Sequence, residues 1–324
     1  MSLFSYAKPK ALREALGMLK NGTVALAGGT DLMTLVRHGV SRPEKLVDLT
    51  GIEGLRGWSR EKGKGIRIGA LTPLADIETS PELARILPIV PLSLRDAATP
   101  QIRNMGTVGG NLLQRNRCWY FRDEGVPCWL KGGTRCFAVD GENRYHAIVG
   151  AQDCLMVSPS DLAPALIACD AEIEVVSSLG RRRVKLAELF LTPHGRDRRE
   201  HAIRPGELIT QIRVPEKALE RRGTYLKAME RKTWSFAIVS VAATARIAKD
   251  GKASDVRIVL GGVAPVPWRV PAAEKELDGT RLDDNACLAA ADTLLASAQP
   301  LRDNGYKITL ARELVRRALR SLVA

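Results

Sequence analysis

The chain has 324 residues, 45% hydrophobic and 26% charged. That balance supports buried cores in two or three domains and excludes a disordered chain. The formal net charge of +13 suits an acidic partner surface or a polyanionic cofactor, with nucleic acid as the sharper alternative.

In chain order, KPKALREALGMLKNG places Leu12, Ala15 and Leu19 at helical spacing, and Asn21-Gly22 ends that helix. TVALAG reads as a short buried strand, DLMTLVRHG as a helix and PEKLVDLT as a strand. These make a small α/β unit over residues 1–57. GIRIGALTPLADIE predicts a strand, a turn at Pro73 and a helix start, and PIVPLSLRDAAT a helix. SPSDLAPALIACDAEIEVVS reads as helix then strand, with a turn at Ser177-Ser178-Leu179-Gly180 before RRRVKLAELF. This second unit covers 58–215. In the third, 216–324, SFAIVSVAATARIA and VRIVLGGV alternate on either side of Asp250-Gly251, a hairpin signal. The tail ITLARELVRRALRSLVA sets Ile308, Ala311, Val315, Leu319 and Leu322 on one helical stripe, with its arginines toward water. The fold class is α+β.

No apolar run is long enough to span a bilayer, so no membrane insertion is expected. The N-terminus has early charges and no apolar core of a secretory signal. The cytoplasm is the plain expectation for the compartment, or the periplasm if a signal-bearing partner carries the chain across. Residues 180–232 hold 15 Lys or Arg against 7 Asp or Glu. Phe190 and Tyr225 are the aromatics there, too few for a single-strand stacking platform. A solvated face or a subunit interface is expected there, not nucleic-acid binding.

Two glycine segments stand out. VALAGGTDLMTLV runs strand, Gly28-Gly29, helix; glycines let backbone approach a ligand, and free N–H groups there suit a pyrophosphate. It is neither G-x-G-x-x-G nor a Walker A loop, and an ordinary strand-to-helix turn fits as well. IRNMGTVGGNLL adds Gly106, Gly109 and Gly110 with Thr107 and Asn111. Together they suggest two walls around one extended phosphate group, or two unrelated tight turns.

The segment 115–155 holds Cys118, Cys128, Cys136 and Cys154, separated by nine, seven and seventeen residues. No C-x-x-C occurs, so ribbon and ferredoxin spacings are absent. Four thiolates can complete a [4Fe-4S] cluster or a zinc site, or form two disulfides, or stay free. Trp119, Tyr120, Phe121, Trp129, Phe137 and Tyr145 could shield a cluster, and Arg117, Arg122, Lys131 and Arg135 could offset its charge. His146 could touch it, although a surface position is the plainer reading. Cys169 and Cys287 sit in apolar stretches and read as buried core.

AGGTDL at 27–32, IRNMGTVGGNL at 102–112 and SPSDLAPAL at 158–166, in that order, resemble the FAD-binding subunit of the molybdenum hydroxylases. That family includes xanthine dehydrogenase, carbon monoxide dehydrogenase and aldehyde oxidoreductases. The resemblance covers nearly the whole chain. It implies a PCMH-type, vanillyl-alcohol-oxidase-like FAD-binding domain of two α/β subdomains, with a C-terminal domain like that of the carbon monoxide dehydrogenase flavoprotein. By resemblance, Leu26, Ala27, Gly28, Gly29, Thr30, Asp31 and Leu32 belong to the loop around the FAD pyrophosphate. Thr107, Gly109, Gly110 and Asn111 match a second phosphate and ribityl loop. Ala98 and Ile102 match the flavin side, Asp161 the adenosine end, and Lys227 a lysine near the isoalloxazine. Asp161 also stands at a helix N-cap position, and Lys227 could be exposed. Neither glycine segment carries His or Cys, so FAD would be held non-covalently.

The cysteine segment looks most like that of periplasmic aldehyde oxidoreductases, whose FAD subunit carries an extra [4Fe-4S] cluster; the 4-hydroxybenzoyl-CoA reductase type has a longer insertion. The resemblance implies an oxidoreductase subunit within a heterotrimer. A [2Fe-2S] subunit and a molybdenum-cofactor subunit would be its partners. Electrons from aldehyde oxidation, an aromatic aldehyde first, would pass through the [2Fe-2S] clusters to FAD and an external acceptor. No catalytic residue is expected in this chain. The rival expectations are a stand-alone PCMH-fold flavin oxidoreductase and a basic binding protein with a structural four-cysteine metal site.

Overall fold

A computed structural model describes residues 3–324. Three sheets organise them. The first contains β1 (Ser5–Ala7), β2 (Thr23–Leu26) and β3 (Lys45–Asp48), in the order β1-β3-β2 and parallel throughout. Parallel neighbours need crossovers, which the helices Leu12–Met18 and Leu32–Arg37 supply. The second contains β4 (Trp58–Glu61), β5 (Gly65–Gly69), β6 (Glu172–Ser177), β7 (Gly180–Lys185) and β8 (Leu208–Val214), in the antiparallel order β4-β5-β8-β6-β7. The third contains β9 (Arg222–Ala228), β10 (Val239–Ile247) and β11 (Ala253–Gly261), antiparallel with β10 central.

The short strands differ from expectation in instructive ways. β2 is half-exposed, not buried, because it forms an edge and β3 takes the centre. β1 and β9 have no alternating run long enough to announce them. The segment 100–112 is two short helices, Pro100–Met105 and Val108–Leu112, broken at Gly106. Thr99 and Thr107 cap them, each hydroxyl accepting from the third residue on.

The second sheet packs its Ile66, Ile68, Ile173 and Ile212 against helices Ile89–Arg95 and Leu162–Ala168. Every residue of Leu162–Ala168 is buried, since that helix is packed against both helix Ile89–Arg95 and the third sheet. Its N-terminus therefore lies where the units meet. On the third sheet's other face, Val239, Val241 and Ala243 meet helices Asp284–Leu295 and Tyr306–Ser321. The tail stripe is buried at Ala311, Val315, Leu319 and Leu322, with Ile308 partly covered. Arg312 and Arg316 reach Asp292 and Asp284 of the neighbouring helix, bridging it as well as facing water. Cys169 and Cys287 are core residues, at 1% and 0% exposure.

Candidate functional site: a cleft at two glycine segments beside a four-thiol cavity

β2 delivers the chain to Ala27, and the turn to helix Leu32–Arg37 needs Gly29 at φ +72°. Gly28 lies directly on the second segment: a Cβ there would stand 1.8 Å from the Met105 carbonyl oxygen. Gly109 packs on Ala70 less tightly, at 3.0 Å. Gly110 would meet only the Thr107 hydroxyl and so faces open space.

The two segments differ in what they offer a ligand. Among the described residues, no backbone N–H of Gly28, Gly29, Thr30 or Asp31 donates within the protein. In the second segment Val108 donates to Thr72, Gly109 to Ala70 and Gly110 to the Thr107 hydroxyl. The first is a nest of free donors suited to an anion. The second is a close wall whose small residues leave room.

Two recesses meet at these segments. One, of about 450 Å³, is lined by Ala27 to Leu32 with Thr107, Gly109 and Gly110, under aliphatic Val24, Leu49 and Leu208. The other, of about 440 Å³, is lined by Ala98, Ile102, Asn111, Asp161, Trp234 and Phe236 among others. Thr30, Asp31, Thr107, Gly110 and Gln114 line both. That is the shape an extended dinucleotide needs, with its diphosphate at the junction. Leu26 lines neither recess, because it closes β2. Ala98, at φ +55°, is a strained non-glycine residue in the second recess.

Asp161 and Lys227 form one ion pair at 2.9 Å, with the lysine side chain wholly buried. Lys227 also donates to the Asp96 carbonyl at 2.9 Å, and Tyr225 Oη donates to Asp161 at 2.7 Å. This corrects three expectations. Opposite ends of an extended dinucleotide cannot meet two side chains 2.9 Å apart, so the adenosine-end role implied for Asp161 and the isoalloxazine role implied for Lys227 cannot both hold. Lys227 is not exposed. Asp161 holds the N-cap position without capping; Ser160 Oγ accepts from Ala163 instead. Burial pushes the Asp161 carboxyl upward and the Lys227 charge opposes it. The pair presents no net charge to the recess.

Asp31 faces the cysteine segment. It accepts from Arg117 at 2.6 Å, Arg122 at 2.8 Å and the Arg115 N–H at 2.8 Å. Arg117 and Arg122 thus neutralise Asp31, where the sequence suggested that they balance a cluster. Burial pulls the Arg117 guanidinium down to about 10. Buried Glu200 accepts from Asn116 at its N–H and amide, and Asn116 Oδ1 accepts from the Cys118 N–H at 3.1 Å. Sequence reading missed Glu200, because the GRDRREH run hides one structural acid among charges.

The four cysteines line one small, tightly packed cavity of about 10 Å³ with Tyr120, Phe121, Trp129 and Phe137. All are free thiols, so the two-disulfide alternative falls. Among the described residues no three His, Cys, Asp or Glu are grouped for a single ion. Burial pushes Cys118 up to about 12 and raises Cys154 as well, so binding a metal centre must displace protons. His146 is 3% exposed, not at the surface, with Nε2 3.2 Å from Cys118 Sγ. Lys307 of the last helix donates to the carbonyls of Tyr145, His146 and Gly262, fixing that loop. Burial pulls Lys307 down to about 7, while three acceptors favour its ammonium.

Similar proteins match along nearly the whole chain. The family profile described as FAD binding domain in molybdopterin dehydrogenase matches residues 2–217, and CO dehydrogenase flavoprotein C-terminal domain matches 224–322. The chain is 36% identical over 329 residues to the aldehyde oxidoreductase FAD-binding subunit of Escherichia coli, covering 100% of this chain and 98% of that one. It is 30% identical over 325 residues to the carbon monoxide dehydrogenase medium chain of Hydrogenophaga pseudoflava, covering 98% and 96%. The solved carbon monoxide dehydrogenase of that organism superposes with a TM-score of 0.77 at 28% identity, over 98% and 96% of the chains. The chain belongs to the FAD-binding subunits of the molybdenum hydroxylases, an oxidoreductase family.

Proposed function

We propose that this chain is the FAD-carrying electron-transfer subunit of a molybdenum-cofactor hydroxylase that oxidises an aldehyde, an aromatic one first, to the acid. A [2Fe-2S] subunit and a molybdenum-cofactor subunit complete the heterotrimer. Cys118, Cys128, Cys136 and Cys154 hold a [4Fe-4S] cluster. The observation that carries the reading is the junction of two recesses at a nest of four unpaired N–H groups. The aldehyde rests on the full-length likeness to a relative named as an aldehyde oxidoreductase subunit. When bound, FAD supplies two-electron storage and an iron–sulfur centre supplies single-electron transfer.

The chain's own residues have distinct tasks. Gly28 to Asp31 bind the diphosphate through their N–H groups, and Gly110 leaves the approach open. The aliphatic recess takes the adenine. Ala98, Ile102 and the Asp161–Lys227 pair frame the flavin recess. Tyr120, Phe121 and Trp129 keep water from the thiols. No acid or base is required of this subunit.

The test is aldehyde-dependent bleaching of the flavin under anaerobic conditions. The assembled complex reduces its flavin on adding benzaldehyde, while the isolated chain does not. Reduction in the isolated chain would instead establish the stand-alone oxidoreductase.

A further inference from the structure

Between the cysteine segment and the loop from Glu230 to Ile238 lies a cavity of about 360 Å³, within the usual range of small-molecule sites. Four aromatic rings wall it: Trp119, Tyr145, Trp234 and Phe236. Trp234 is 59% exposed and Phe236 46%, and large apolar side chains converging on one hollow mark a binding surface. Trp119 stands edge-on to Tyr145 at 5.9 Å and to His146 at 5.3 Å. Trp234 holds φ +50°, a conformation bulky residues adopt only under constraint.

Polar side chains also line this cavity. His146 is one, with Nε2 engaged by Cys118 and Nδ1 buried out of reach of the hollow. Arg231 lies over the Trp234 ring at 5.4 Å and donates only to the carbonyls of Thr233 and Trp234. Among the described residues it meets no carboxylate. Glu230, also in the lining, is already held by Tyr145 Oη at 2.9 Å and Arg144 at 3.3 Å.

We propose that this cavity is a second small-molecule site, for a planar aromatic ligand carrying an oxygen acceptor, stacked among the four rings and hydrogen-bonded by Arg231. Such a ligand has a face for the rings and an oxygen for the Arg231 guanidinium, which no carboxylate among the described residues occupies. The site borders the flavin recess, sharing Arg117, Arg231, Trp234, Ser235 and Phe236 with it, yet Tyr145 and His146 belong to it alone of the two. The inference stands on the cavity itself and does not require that FAD fill the cleft. The acceptor oxygen could belong to a neutral quinone or to an aromatic carboxylate.

Isothermal titration of the FAD-loaded chain with menadione, and separately with 2-naphthoate, tests it. At least one probe should bind saturably, one to one. Tyr145→Ala should weaken that binding about tenfold or more, and Tyr145→Phe, which keeps the ring, should preserve it. Binding of 2-naphthoate that Arg231→Gln weakens assigns the anion; binding of menadione without binding of 2-naphthoate assigns the quinone. No binding of either probe, equal binding in Tyr145→Ala, or displacement of FAD by the probe overturns the proposal. Flavin content, measured separately in each sample, reports on the dinucleotide cleft independently.

Discussion

The Asp161–Lys227 pair shows how much a single contact decides. Replacing Lys227 by Met would strand a buried carboxylate beside Tyr225. Breaking a buried pair in this way costs about 3–5 kcal/mol. The expected outcome for Lys227→Met is a lower denaturation midpoint together with lost flavin, measured by urea titration and by absorbance of the released cofactor. A midpoint equal to wild type would show the pair to be dispensable. The sequence placed Asp161 and Lys227 in the site but not together, because they lie 66 positions apart. The resemblance carried each residue's role singly, and only packing of the Leu162–Ala168 helix against the third sheet joins them. His146 was legible as a member of the cysteine segment; its burial was not, since that depends on Lys307 and the last helix.

Among the elements, the two glycine segments were the most readable part. Strand, glycine pair and helix follow each other in VALAGGTDLMTLV, and the periods change where the structure changes. What stayed hidden was their division of labour. Helix Val108–Leu112 is only five residues long, and its N–H groups are spent on Thr72, Ala70 and Thr107. Nothing in GTVGGNLL announces those acceptors. The contact between segments gives a sharp prediction. Gly28→Ala sets a methyl group against the Met105 carbonyl at 1.8 Å, where backbone cannot yield cheaply. The variant should fold with the segments forced apart and retain markedly less FAD than wild type, read as flavin per chain after gel filtration. Full flavin content would mean that the segments need not touch for binding. The cysteine segment was legible as four thiols, and the fold brings all four to one cavity. Its anchoring through Asp31 and Glu200 was not, because both acids lie more than 80 positions from the residues they hold.

Over the whole molecule, charge and burial set a pH dependence. His201 packs edge-on against Phe190 at 5.7 Å, and burial pulls its pKa down to about 4, with Glu200 opposing and Arg115 reinforcing the shift. The folded value lies below the unfolded one near 6.5, so the unfolded chain binds more protons between those limits. Stability therefore falls as the pH drops from about 6.5 toward 4. The melting temperature of His201→Phe should decline less across that window than that of wild type. Parallel declines would assign the acid sensitivity to other groups. The three-sheet layout brings the cleft, the thiol cavity and the aromatic cavity side by side, with Arg117 lining the cleft and the aromatic cavity and Cys118 the aromatic and thiol cavities. That adjacency is the physical basis for reading the chain as one redox unit. Its most direct test is the ultraviolet–visible spectrum of the anaerobically purified chain before and after dithionite. Flavin bands over a broad iron–sulfur absorbance, both bleaching, are the predicted result. A folded protein that stays colourless after reconstitution with FAD, iron and sulfide would contradict it.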